Sequence, residues 1–196
     1  MAPTPVTLPL AVFLLPLALL TGCAGNIGAG VPFAAALSSC STPADAARMV
    51  PDNPTRLAGE LTYPIGAVHV EGPTKSTIPP PILAATFAKA LEQTLQQSGA
   101  MTPDTLQHEP GHVLLAHIGP QSRHGTFTST TLTLTIRYTL VSPLRPEHPL
   151  WEQNITSSGE LRDWKTDACQ RLRNLQERLS RESIQLLLES LPAKRQ

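Results

Sequence analysis

Thr131-Leu132-Thr133-Leu134-Thr135-Ile136-Arg137-Tyr138-Thr139-Leu140-Val141 alternates apolar and polar residues from end to end. Successive side chains of a strand leave on opposite faces, so Leu132, Leu134, Ile136, Tyr138 and Leu140 point one way. Thr131, Thr133, Thr135, Arg137 and Thr139 point the other. Such clean alternation predicts an antiparallel strand with one face on a core and one face wet.

The flanking sequence supplies its neighbours. His112 to Ile118 reads as a strand bounded by Gly111 and Gly119-Pro120. On the other side, Pro143 to Pro149, with Pro146 between, reads as a rigid hairpin loop, and Leu150 to Ser157 returns as a strand carrying Trp151 and Ile155 on one side. Upstream, Leu57 to Val70 is strand-like but interrupted at Pro64 and Gly66, which predicts a bend or bulge. Ile82 to Gln97 gathers Leu83, Phe87, Ala90, Leu91 and Leu95 on one helical face, and Ser98-Gly99 stops it. A closing helix over Asp163 to Leu191 carries the stripe Leu172, Leu175, Leu179, Ile184, Leu187, Leu188, and Pro192 ends it.

The resulting order is βαβββα. Two strands joined through a helix pair parallel, and strands joined by hairpins pair antiparallel. The fold class expected is therefore α/β: a two-layer sandwich of one mixed four-stranded sheet with two helices on one face. The Thr-rich face is left to solvent or a partner.

Fifteen basic and fifteen acidic residues cancel, so no overall charge favours nucleic acid, and none is expected as a partner. Twenty prolines, about twice the usual share, fall in clusters between apolar segments and read as punctuation. His108, His112 and His117 with Glu109 are a possible metal set, but His112 and His117 lie five apart on a strand and face opposite ways. No metal or cofactor is expected. No Gly-x-Ser-x-Gly elbow occurs, and Cys169 has no histidine near it in sequence, so no enzyme activity is expected. Two partner-binding surfaces are candidates: the flat polar face with Thr133, Thr135 and Arg137, and the proline loop with Trp151 nearby. Against both stands the plain strand propensity of threonine and the use of proline in hairpin loops.

The N-terminus opens with an apolar run from Leu10 to Leu20, interrupted by Pro16, too short to span a bilayer and of the length of a signal h-region. It ends in Leu20-Thr21-Gly22-Cys23, which resembles a bacterial lipobox. That resemblance implies a signal peptide over residues 1–22, cleavage before Cys23, and acylation of Cys23 as a membrane anchor. Ala24 and Gly25 follow in place of an inner-membrane retention aspartate, which implies the outer membrane, with the body in the periplasm. Residues 23–57, rich in Gly, Pro and Ala, read as a tether, and 58–196 as a single globular domain. With Cys23 acylated, Cys40 and Cys169 are a candidate disulfide in an oxidising compartment; two free thiols are the alternative.

Behind the lipobox, the order of elements over residues 57–191, the Ala/Leu-rich helix ending in Ser98-Gly99 and the Arg-Glu/Leu closing helix resemble small periplasmic lipoproteins. The families are the auxiliary lipoproteins of ABC-type transport systems and the lipopolysaccharide-assembly lipoprotein. Their resemblance implies a nonenzymatic accessory subunit with an envelope protein partner. A binding module for a lipid, glycan or peptide is the second expectation.

Overall fold

A computed structural model describes residues 40, 42–57, 60–73, 82–101, 111–125, 129–162 and 167–194. All belong to the compact unit Pro32–Gln196. The expected signal segment, Cys23, and the candidate ligands His108 and Glu109 lie outside the described residues. In chain order the elements are α1 (Ala46–Met49), β1 (Ile65–Glu71), α2 (Ala84–Ser98), β2 (His112–Ile118), β3 (Ser122–Gly125), β4 (Ser129–Ser142), β5 (Arg145–Arg162) and α3 (Ala168–Ser190).

The sheet is built on β4, whose alternation is realised as written: Leu132, Leu134, Ile136, Tyr138 and Leu140 are buried, and Arg137 on the opposite face is exposed. β5 pairs antiparallel with it from Ser129↔Arg162 to Ser142↔Arg145. The connection is therefore a two-residue turn, Pro143-Leu144, and not the seven-residue loop expected from the prolines. Pro146 and Pro149 sit in the strand, with register shifts beside them at Val141. Among the described residues β5 pairs with β4 alone, and a strand with one such edge tolerates residues that cannot donate to a ladder.

On the other edge of β4 lie both β2 and β3, each antiparallel to it. Ile118 faces Ile136 and Ser122 faces Thr133, so Gly119-Pro120-Gln121 spans what two β4 residues span. The Gly119 amide still donates to the Thr135 carbonyl at 2.9 Å. Pro120 has no amide to offer, and the lane breaks there. The sheet thus has five strands in four lanes, a correction to the four-stranded expectation. β1 completes it by pairing parallel with β2, the register skipping one residue at Gly66.

Both long helices pack on the Leu/Ile/Tyr face. α2 buries Phe87, Ala90, Leu91 and Leu95, and it closes at Gly99 with φ 78°, in the left-handed conformation that suits glycine. α3 buries Leu172, Leu175, Leu179, Ile184, Leu187 and Leu188. Within Ala44 to Met49, which reads as a short helical turn after Thr42-Pro43, α1 is one turn long and is capped by the Asp45 carboxylate, which accepts from the Ala47 amide. Met49 on α1, Ala44 before it and Cys40 join the same core, so the packing takes in residues from the segment read as tether. Behind α3, Ala193 bridges antiparallel to Leu61, and the Lys194 ammonium lies 2.8 Å from the Glu60 carboxylate.

Candidate functional site

The polar sheet face presents what the alternation predicted and little more. Thr135 and Thr156 share a hydrogen bond of 3.0 Å between their hydroxyls across the β4–β5 ladder, and Thr133 lies opposite Ser158 and Ser122. Arg137 lies opposite Asn154 and His117. Toward β1, the Glu71 carboxylate sits 3.5 Å from His117 Nδ1 and 3.8 Å from His69 Nε2, all three residues exposed. Trp151 is elsewhere. It faces Leu140 on the inner side of the sheet, partly buried against the core, so the four partner-binding candidates fall on two opposite faces.

His112 and His117 are not brought together. The His112 ring packs edge-on to Tyr63 at 5.4 Å, with Nδ1 3.1 Å from the Pro64 carbonyl, while His117 faces outward. Among the described residues no group of three or more His, Cys, Asp or Glu side chains is placed to hold a metal. The core tyrosine is no acid or base at neutral pH: burial pushes the Tyr138 phenol well above its usual range, against the opposing effect of its 3.0 Å hydrogen bond with Ser183.

The feature the sequence left unread lies along α3. Cys40 and Cys169 are joined in a disulfide, Cα to Cα 5.3 Å. From there the chain over residues 42–57 runs alongside α3 in the same direction, fastened at every second turn or less. The Asp45 amide donates to Glu177 Oε1 at 2.9 Å, and Glu177 also faces the Arg48 and Arg173 guanidiniums, each at 3.8 Å. Arg181 donates through Nε and Nη2 to the Arg48 carbonyl and lies 3.6 Å from Asp52. Gln185 donates to the Thr55 hydroxyl. Cys169, Glu177, Arg181 and Gln185 are spaced by multiples of four and so line one side of the helix. The signal was in the sequence as Arg173/Glu177 and Glu177/Arg181, four apart, which most simply describe a solvated face; the structure corrects this, since Glu177 is buried.

On the other flank of the first half of α3, a surface hollow of about 380 Å³ is lined by Arg162, Arg171 and Arg178 with Glu160, Asn174 and Leu175. Arg171 Nη1 donates to the Arg162 carbonyl at 3.1 Å. Arg162 is engaged by Glu160 at 2.6 Å, and this pairing, helped by the Ser129 hydroxyl, holds the Glu160 carboxyl below its usual range. Three guanidiniums against one carboxylate leave the hollow positive. It is suited to anionic oxygen ligands and offers no nucleophile.

No known family model matches this sequence, and no curated protein matches it. Solved structures are similar to it. A Xanthomonas campestris protein described under the family name DUF330 superposes with a TM-score of 0.52 at 10% identity, over 76% of this chain and 93% of that one. A minor lipoprotein from Acinetobacter baumannii gives a TM-score of 0.48 at 13% identity, over 69% of this chain and 99% of that one. The fold of the first is the fold of this chain.

Proposed function

We propose that the protein is a lipid-anchored, periplasm-facing accessory subunit of an envelope transport or assembly complex, held at the outer membrane through Cys23 and without catalytic activity of its own. One observation carries the reading. Of the three cysteines in the chain, two form the disulfide and the third is the cysteine of the lipobox. A disulfide closing so long a loop belongs to an oxidising compartment, where the resemblance at residues 20–23 would deliver it. Among the described residues no helix is long and apolar enough to cross a membrane. The accessory role is supported by a body that offers broad polar surfaces for contact.

The test is metabolic labelling with an alkyne-bearing fatty acid in a diderm bacterium, followed by density separation of the two membranes and cross-linking in intact envelopes. Label is expected on the native protein and absent from Cys23→Ala, with the native protein in the outer-membrane fraction cross-linked to a transport or assembly component. An unlabelled native protein would overturn the anchor, and recovery as an uncross-linked monomer would overturn the accessory role.

A further inference from the structure

We infer that the arginine hollow between β5 and the first half of α3 docks on the anionic headgroups of the bilayer to which the chain is anchored, so that the body rests on the membrane by this flank. The inference rests on the anchoring of Cys23 proposed above. Sequence connectivity supplies the placement. The chain enters the described body at Cys40, and residues 24–39 can separate it from Cys23 by no more than roughly 55–60 Å even when fully drawn out. The disulfide puts that entry point in the first turn of α3, two residues before Arg171. Arg178 follows within about 14 Å along the helix. The basic hollow thus lies near that entry point along α3, on the flank left open by residues 42–57.

Charge placement supplies the ligand. A cation in the first turn of a helix opposes its macrodipole, which favours acidic residues there; in α3 that cation is Arg171. Yet α3 has no acid in its first turn and carries Arg171, Arg173 and Arg178 in its first eleven residues, where the one carboxylate, Glu177, is buried beneath Arg48 and Arg173. Arg171 and Arg178 are exposed and face no carboxylate within ion-pair distance among the described residues. Arg173 is accounted for by its pair with Glu177, but the dipole gives no reason for Arg171, and phosphate oxygens outside the protein suit Arg171 and Arg178 together, since guanidinium forks match them well.

The experiment uses the acylated full chain in proteoliposomes and an arginine-selective dicarbonyl reagent, read by peptide mass spectrometry. Arg171 and Arg178 are expected to be shielded on vesicles containing phosphatidylglycerol and reactive on phosphatidylcholine alone, while Arg145 at the hairpin turn reacts alike on both. Arg171→Gln is expected to weaken the shielding of Arg178 about fivefold, the effect of one arginine near an anionic surface. Equal reactivity on both vesicles would overturn the inference, as would equal shielding by inorganic phosphate in detergent, which would mark a site for free anions. The intact mass of the same sample separates the two readings. Acyl chains present without charge-dependent shielding sink the docking surface alone, whereas an unacylated Cys23 sinks the anchor.

Discussion

Gly66 and Gly111 meet where β1 joins the sheet, and a Cβ on Gly66 would stand 2.8 Å from the Gly111 Cα. Backbone cannot move aside as a side-chain tip can. Gly66→Ala is expected to lower stability by about 1–3 kcal/mol, seen as a fall in denaturant midpoint at unchanged m-value. Tyr138 tests the core differently. Removing its hydroxyl leaves Ser183 buried beside it without that partner, so Tyr138→Phe should cost about 1–2 kcal/mol, and adding Ser183→Ala should recover part of it. The raised folded-state pKa of Tyr138 fixes a sign as well. Its contribution is fully present below the unfolded tyrosine value of about 10 and is lost as pH rises through the folded value, so alkaline unfolding should be shallower in Tyr138→Phe. Glu160 runs the other way: its lowered pKa favours the fold above the unfolded carboxyl range and ceases to as pH falls, with a small effect because the group is exposed.

Among the elements, those with a period of their own could be read directly. Leu132 to Leu140 fixed the strand and its faces, and Phe87, Ala90, Leu91 and Leu95 fixed α2. Where tertiary position overrules local chemistry, the sequence misleads. Pro146 and Pro149 read as a loop, but the free edge of β5 makes no demand for their missing amides. Gly119-Pro120 read as the end of a strand, and it is an interruption after which β3 continues along the same edge of β4. Ala44 to Met49 could be read as a short helical turn, but not its place against α3, because a single turn has no sustained period. The polar face was legible as a face, whereas the separation of Trp151 from Thr133, Thr135 and Arg137 depends on the β5 register, which composition does not encode. Counting cysteines, by contrast, pointed to Cys40 and Cys169 although they lie 129 residues apart. Replacing both by serine is expected to remove up to about 4–5 kcal/mol, by the loop-closure estimate, measured as the difference in unfolding free energy from the oxidised protein.

At the level of the whole molecule, zero net charge conceals a local imbalance, with guanidiniums collected by the first half of α3 and threonines and serines spread over the far side of the sheet. The two surfaces are suited to different neighbours, and the segment over residues 42–57 that runs beside α3 contributes Ala44 and Met49 to the core. The disulfide also decides how the protein bears tension. A pull applied from residue 23 against the C-terminus would pass from Cys40 straight into Cys169, so the chain between them would carry none of it. Held in a single-molecule extension experiment, the oxidised protein is expected to lengthen by roughly 430–460 Å less than the reduced one. The sheet and α2 would then be mechanically sheltered, and the first component to yield would be α3, peeled from its leading end.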